Sequence, residues 1–180
     1  MSHLQQFTKT ENYENEYQEF KKLLEIEPEI VAYDLHPDYW SSRFAEKLDI
    51  KTKIGVQHHH AHVASCMVEH GLNEKVIGLS FDGTGYGTDG NLWGGEFLIA
   101  DLDDFKRAGH LAYQSLPGGE QAILEPWRMA VSYLNAIYKG DMASITNLFA
   151  QHVPEVQIQM IVQMIEKDIL IYKTREGKEP

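Results

Sequence analysis

The sequence predicts an α/β fold, in which short buried strands alternate with amphipathic helices. Two kinds of segment support this class. Apolar runs such as Glu29–Leu35 and Val76–Phe81 have the length and composition of buried strands. Longer segments such as Asn12–Leu24 repeat their apolar and aromatic residues at helical spacing among many charges. The 180 residues contain no internal repeat or low-complexity linker and suffice for one domain with a core.

The first part of the chain carries the signals of three helices and two strands. Pro28 ends the first helix, and Gly71 is a C-terminal stop for the third. The expected elements, in chain order, are a helix over Asn12–Leu24, a strand over Glu29–Leu35, a helix over Tyr39–Leu48, a strand over Lys53–Gln57 and a helix over His62–His70.

The second part is expected to form a β-meander followed by helices. A glycine-dense loop, Asp82–Gly90, joins its first two strands, and the acidic turn Asp101–Asp104 joins the next two. Pro117–Gly119 then breaks the chain. The expected strands are Val76–Phe81, Leu92–Ala100 and Arg107–Leu116, and the expected helices are Glu125–Tyr138 and the remainder to about Asp168.

Composition narrows the classes of partner. The chain has 16 Lys and Arg against 27 Asp and Glu, a formal net charge of −11. Such a surface repels phosphate backbones and anionic headgroups, so neither nucleic acid nor membrane is an expected partner. No apolar stretch approaches the roughly 20 residues of a membrane span, and the polar start is no signal peptide, which predicts a cytoplasmic protein. One cysteine excludes an internal disulfide framework or thiolate cluster.

Four of the nine histidines fall within five positions: His58, His59, His60 and His62. If the helix begins at or just before His58, the residues four apart, His58 and His62, share a face and can point at one metal ion, zinc or iron. A third ligand, a carboxylate, must come from elsewhere in the fold. His59 and His60 point away and meet a substrate or nothing. Cys66 could approach the metal, although a lone cysteine among apolar neighbours is more typical of a core. A solvated turn or helix cap is the alternative for the whole cluster.

Asp82-Gly-Thr-Gly-Tyr-Gly87 follows a buried strand directly. Glycines at alternate positions let backbone N–H groups approach an anion, and positive φ angles can turn those groups toward phosphate oxygens. Asp82, at the strand end, can hold a metal ion or its water. The segment fits neither a Walker loop nor a Rossmann fingerprint. A glycine-rich hairpin loop without a ligand is an equally good interpretation.

Trp93-Gly-Gly-Glu96 is a weaker signal. Glycine pairs mark close backbone approach, so Gly94, Gly95 and Glu96 are candidates for lining a substrate. Glu96 could instead form an ordinary ion pair with Arg128.

Taken together, three segments closely resemble the HypF carbamoyltransferases: Val56–His62, Phe81–Gly90 and Trp93–Glu96. In that family they belong to the large C-terminal domain, which is similar to the tRNA threonylcarbamoyl transferases. Further matches are Asp34–Asp38, Leu116–Gly119 and Glu125–Met129.

The resemblance implies an actin-like ATPase fold, present in part, in which ribonuclease-H-like halves with mixed sheets and flanking helices close on a nucleotide. It implies a carbamoyltransferase that makes carbamoyl-adenylate from carbamoyl phosphate and ATP. The carbamoyl group passes to the C-terminal cysteine of a HypE-like partner and becomes a cyanide ligand of nickel–iron hydrogenase. The implied cofactors are a divalent metal, zinc or iron, and ATP or carbamoyl-adenylate.

The resemblance also assigns residues to roles. His58 and His62 match the family's metal pair, whose site is completed by a later Asp beyond the matched segment. The loop on the phosphate side corresponds to Asp82, Gly83, Thr84, Gly85 and Gly87.

The likeness runs from Ser2 to about Lys167, one part of a HypF chain. The expected domains are a partial carbamoyltransferase-like domain over residues 1–168, truncated at both ends, and a divergent tail over residues 169–180. Two interpretations stay open. The chain is either part of a carbamoyltransferase that needs a complementing polypeptide, or a non-catalytic remnant or interaction module with residual metal and phosphate binding. A complete enzyme and a plain metal hydrolase are weaker alternatives. Truncated edges would favour association between copies of the chain.

Overall fold

A computed structural model describes residues 3–149 and 152–167. The chain divides into two compact units, one that ends at His110 and one that begins at Leu111. The first unit contains α1 (His3–Leu24), β1 (Ile30–Asp34), α2 (Trp40–Lys47), β2 (Thr52–Val56), α3 (His58–Glu69), β3 (Val76–Tyr86), β4 (Leu92–Ala100) and β5 (Phe105–His110). The second contains α4 (Glu120–Leu124), α5 (Trp127–Tyr138), α6 (Met142–Phe149) and α7 (Glu155–Glu166).

The expected α/β class is confirmed. Strands β1 and β2 form a parallel pair, and β3, β4 and β5 form an antiparallel meander, with α2 against β1 and α3 against β3. The two strand directions therefore occur in separate small sheets. The first helix begins at His3, well before the expected Asn12.

The parallel pair brings the ends of β1 and β2 to one edge. The two strands are in register from Ile30 opposite Thr52 to Asp34 opposite Val56. Because α3 begins two residues after Val56, its first turn lies beside the Asp34 carboxylate. The hydroxyl of Ser42, on α2, donates to the carbonyl of Asp34 at 2.7 Å and fixes that end of β1.

Helix α3 begins at His58, as the metal hypothesis requires. The side chain of Gln57 caps it by accepting a hydrogen bond from the backbone N–H of His60 at 3.0 Å. The helix ends before Gly71, whose φ of 64° is the left-handed conformation expected of a glycine stop.

The meander is confirmed, but β3 is longer than expected. It continues to Tyr86, so the first half of the glycine-dense segment is strand. Only residues 87–91 connect β3 to β4. The register shifts on the way, because Phe81 is opposite Gly95 whereas Gly85 is opposite Trp93. Between these two pairs, three residues of β3, Asp82–Thr84, face the single residue Gly94 of β4, so β3 bulges at Asp82.

The turn between β4 and β5 is closed by the Asp101 side chain. Its carboxylate accepts hydrogen bonds from the backbone N–H groups of Asp104 at 2.9 Å and Asp103 at 3.1 Å. These bonds hold the pKa of the Asp101 carboxyl below its usual range. This tight turn lets β5 begin at Phe105 and end at His110, earlier at both ends than the expected strand.

The core of the first unit lies between α3 and the meander. Its buried apolar side chains are Val63, Met67, Trp93, Leu98 and Ala100, with Val76 and Phe105 packed against them. The side chain of Val63 occupies the space beside Gly78, where a Cβ would lie only 2.8 Å from its Cγ1, so helix and strand approach closely.

A buried ion pair stabilises the meander from within. Glu96 is only 1% exposed, and its two carboxylate oxygens accept hydrogen bonds from Arg107 at 2.6 and 2.9 Å. The Arg107 guanidinium also stacks 3.9 Å from the centre of the Trp93 ring. The indole N–H of Trp93 donates a hydrogen bond to Asp89 at 2.9 Å. Arg107, not the suggested Arg128, is thus the partner of Glu96.

The second unit is helical among the residues described. Its core consists of Val131, Ile145, Ile158, Ile161 and Val162. Helix α5 begins at Trp127, just after the expected Glu125, and ends at Tyr138, followed by Lys139 with a left-handed φ of 50°. The expected helicity to Asp168 is met by α6 and α7 as far as Glu166, and Asp168 itself lies outside the described residues.

Arg107→Met is expected to lower the free energy of unfolding of the first unit by about 3–5 kcal/mol, because Glu96 would remain buried as an unpaired charge. The matched control is Lys75→Met, since the exposed Lys75 lies 3.9 Å from Asp101 and such pairs contribute under about 1 kcal/mol. Urea unfolding followed by tryptophan fluorescence measures both. Equal losses for the two variants would contradict a structural role for the Glu96 pair.

Candidate metal centre

Two imidazoles and one carboxylate converge at the start of α3. The Nε2 atoms of His58 and His62 lie 3.2 Å apart. Oδ2 of Asp82, on β3, lies 3.2 Å from His58 Nε2 and 3.4 Å from His62 Nε2. The three atoms form a nearly equilateral triangle, and among the described residues this is the group of three side chains that could hold a metal ion.

Two simple periodicities produce this convergence. His58 and His62 are one helical turn apart, so their side chains share a face of α3. On β3, alternate residues share a face, and Asp82 therefore follows Gly78 and Ser80 on the side that packs against that helix. From the residues alone Asp82 could hold a metal ion or its water, whereas the resemblance placed it on the phosphate side. The structure places Asp82 beside both histidines.

The triangle has the dimensions of a metal site. Ligand atoms bound to zinc at about 2.1 Å in tetrahedral geometry lie about 3.4 Å apart, close to the three separations observed here. Oδ2 of Asp82 is buried and accepts no hydrogen bond among the described residues, although two imidazole nitrogens face it. A buried carboxylate oxygen without a hydrogen bond is costly, and a cation at the centre of the triangle would compensate it. The three residues therefore fit a divalent ion.

The second nitrogen of His58 is also held. Its Nδ1 lies 2.7 Å from Oδ2 of Asp34, whose other oxygen accepts the backbone N–H of His36 at 2.7 Å. A carboxylate acceptor keeps the proton on Nδ1, so the lone pair of His58 is on Nε2 and faces the centre of the triangle. Sequence reasoning assigned no role to Asp34. The sequence showed only that Asp34 lies near the end of one predicted strand and that a second one leads into His58; their parallel pairing is a finding of the structure.

Three residues expected to line a substrate are buried instead. His59 is fully buried, and its Nε2 lies 2.7 Å from Oδ1 of Asp82. His60 is buried with its Nε2 2.9 Å from the carbonyl of Asp101. Glu96 is buried against Arg107. Each of the three side chains has a hydrogen-bond partner within the fold.

The glycines also differ from the expectation. None of Gly83, Gly85 and Gly87 has a positive φ, so the argument that they turn N–H groups toward phosphate fails. Close packing explains two of them. A Cβ on Gly85 would lie 2.5 Å from Cε1 of His59, and one on Gly87 would clash with the indole of Trp93. Gly83 has open space around it.

The remaining candidates support this segment from the neighbouring strand. A Cβ on Gly94 would lie 3.0 Å from the carbonyl oxygen of Asp82, so a glycine there lets β4 approach the bulge, and Gly95 is buried opposite Phe81. Thr84 is half-buried on β3.

Cys66 is not part of the group of candidate metal ligands. It is exposed rather than part of the core, and its Sγ is 3.9 Å from Nδ1 of His70. Cys66 and His62 line a groove of about 250 Å³ between α3 and β3. Of the three candidate ligands, His62 lines this groove.

Two protein-family models match the sequence. One is the HypF Kae1-like domain, over residues 1–69, and the other is the carbamoyltransferase Kae1-like domain, second subdomain, over residues 78–175. His58 and His62 fall in the first match and Asp82 in the second. The second match continues past residue 168 into residues that the structure leaves undescribed, and a divergent tail from residue 169 stays a prediction.

Two curated relatives are considerably longer than this chain. Carbamoyltransferase HypF2 of Cupriavidus necator is 49% identical over 124 residues, which are 67% of this chain and 15% of that protein. Carbamoyltransferase HypF of Rhizobium leguminosarum bv. viciae is 46% identical over 121 residues, 67% of this chain and 16% of that protein. The chain therefore spans about a sixth of these relatives.

Solved structures of HypF proteins are also similar to this chain. The crystal structure of full-length HypF in the phosphate- and nucleotide-bound form matches 88% of this chain and 20% of its own, with a TM-score of 0.75 and 45% identity. That of T. kodakarensis HypF matches 81% of this chain with a TM-score of 0.66 and 33% identity. Fold and site together define a Kae1-like domain, present in part. The chain belongs to the HypF carbamoyltransferase family.

The described helices include none with the length and apolar character that crossing a membrane requires.

Gly87→Ala is expected to destabilise the first unit by about 1–3 kcal/mol, because the new methyl group would have to displace the buried Trp93. Gly83→Ala is the matched control in the same segment. Its methyl group meets nothing within 4 Å, so a change within about 0.5 kcal/mol is expected. Thermal unfolding of both variants measures the difference. Equal destabilisation would contradict the packing role assigned to Gly87.

Proposed function

We propose that this chain forms the metal-binding part of a HypF-type carbamoyltransferase. The observation that carries the proposal is the triangle formed by His58 Nε2, His62 Nε2 and Asp82 Oδ2, with its separations of 3.2–3.4 Å. The proposed reaction is transfer of a carbamoyl group, made from carbamoyl phosphate through carbamoyl-adenylate, to the C-terminal cysteine of a HypE-like partner. Zinc and iron both suit two imidazoles and a carboxylate.

The ligand set supports this chemistry. Three protein ligands leave at least one coordination position open, as in catalytic rather than structural sites. A divalent ion bound there would supply a Lewis acid that polarises a carbamoyl carbonyl or a phosphoryl oxygen. The chain's own residues orient the ligands: Asp34 keeps the His58 lone pair on Nε2, and His59 occupies the other oxygen of Asp82.

Charge gives a second reason for a cation at this place. A net charge of −11 disfavours the approach of phosphates and adenylates. Two neutral imidazoles and one carboxylate around a divalent ion give a ligand set with one positive charge, which the neighbouring Asp34 carboxylate partly offsets. The candidate centre can therefore attract an anionic substrate to an otherwise acidic chain. The proposed location of the protein is the cytoplasm.

The phosphate-side residues belong to the same proposal. Within the segment from Asp82 to Gly87, Gly83 is exposed and Thr84 half-buried, so their backbone remains accessible next to the centre. Gly85 and Gly87 support that backbone through packing. The full-length HypF crystal structure in a phosphate- and nucleotide-bound form supports ATP or carbamoyl-adenylate as the ligand class.

A non-catalytic interaction module is the second candidate. The observation that favours it is an apolar row on β3, where Ile77, Leu79 and Phe81 are 76%, 59% and 60% exposed. A complementing polypeptide or a second copy of the chain would cover that row. Metal and phosphate binding would then be residual.

Metal binding by the purified chain tests the proposal. The wild type is expected to bind one zinc or ferrous ion per chain, and His58→Ala/His62→Ala to bind it at least about 100-fold more weakly. His70→Ala, at the far end of the same helix, is the control and is expected to match the wild type. If wild type and double variant hold the same trace of metal, the proposed centre is wrong.

Binding of carbamoyl-adenylate separates the two candidates. The transferase predicts that the metal-loaded chain binds this ligand and that the double variant does not. Metal binding without any binding of the adenylate would favour the interaction module.

A further inference from the structure

We propose that His59 is a positioning residue that orients the Asp82 carboxylate toward the metal, and that Gln57 fixes the tautomer of His59 that this role requires. This inference rests on the proposed metal centre. His59 itself contacts neither solvent nor the centre of the triangle. Its role follows from the hydrogen bonds that link the cap of α3 to the bulge of β3.

The first step fixes the orientation of the Gln57 amide. Gln57 is buried, and its Oε1 accepts from the backbone N–H of His60, which can only donate, at 3.0 Å. Its Nε2 donates to the carbonyl of Tyr86, which can only accept, at 3.2 Å. The two backbone groups leave a single assignment, in which the NH₂ group of Gln57 is on the side of His59.

The second step fixes the tautomer of His59. Nδ1 of His59 lies 3.1 Å from Nε2 of Gln57. Since that amide nitrogen is a donor, Nδ1 is the acceptor and the ring proton is on Nε2. The His59 Nε2–H group therefore donates to Oδ1 of Asp82 at 2.7 Å.

The third step concerns the carboxylate. With Oδ1 held by a buried donor, Oδ2 is the oxygen that faces His58 and His62. Rotation of the carboxylate would break the hydrogen bond inside the fold. The ring of His59 also packs against Gly85, so it supports the backbone of the bulge that carries Asp82.

This arrangement assigns different work to adjacent histidines. His58 and His62 provide the nitrogen ligands, His59 orients the oxygen ligand, and His60 bonds to the carbonyl of Asp101, away from the triangle. His59 and His60 are both buried and both on the first turn of α3. They are thus a matched pair in which only His59 contacts a candidate metal ligand, Asp82.

The affinity of the full chain for zinc tests the proposal, measured by competition with a chelator and checked by the visible spectrum of bound cobalt(II). His59→Phe keeps a ring but removes the donor, and it is expected to weaken binding about 10–100-fold and to change the cobalt spectrum. His59→Gln restores an N–H donor near the position of Nε2 and is expected to recover most of the affinity. His60→Phe is the control for general destabilisation and is expected to bind zinc like the wild type.

Two results would overturn the role of His59: equal affinities for wild type and His59→Phe, or an equal loss in His60→Phe. The wild type binding zinc no better than His58→Ala/His62→Ala is a different outcome. In that case the metal centre itself is wrong, and the role of His59 is rejected with it.

Discussion

Three atoms that can each offer a lone pair, two imidazole nitrogens and one carboxylate oxygen, face one another within 3.4 Å at the start of α3. Such atoms repel unless a cation or a shared proton lies between them, and burial of the Asp82 oxygen strengthens that repulsion. The surrounding residues nevertheless hold this arrangement from both sides, with Asp34 on His58 and His59 on Asp82. We therefore propose that the first unit is arranged to hold a divalent ion between these three atoms.

The fold meets this constraint with few parts. Parallel pairing of β1 and β2 places Asp34 beside the first turn of α3, and the bulge of β3 carries Asp82 to the same point. The buried pair of Glu96 and Arg107 holds the meander behind that bulge, through the stacked ring of Trp93. The candidate site is thus built on helix and strand positions rather than on a loop, which favours precise geometry in a metal site.

Much of this could be predicted from the sequence, for reasons that are local. Apolar runs and helical spacing give the α/β class, and a separation of four residues places His58 and His62 on one face. The sequence allowed Asp82 to hold a metal ion but could not place it beside His58 and His62, because the glycine-rich segment has the composition of a loop although it continues a strand. Burial of His59 and His60 was missed because their partners, Asp82 and Asp101, are distant in sequence and meet them only in the fold.

Anomalous X-ray scattering from crystals of the chain grown with zinc tests the central claim most directly. We expect a single strong peak about 2.0–2.2 Å from His58 Nε2, His62 Nε2 and Asp82 Oδ2, with Asp34 still on Nδ1 of His58 and His59 on the other oxygen of Asp82. A peak bound instead by Cys66 and His70, or coordination of His58 through Nδ1, would contradict the account.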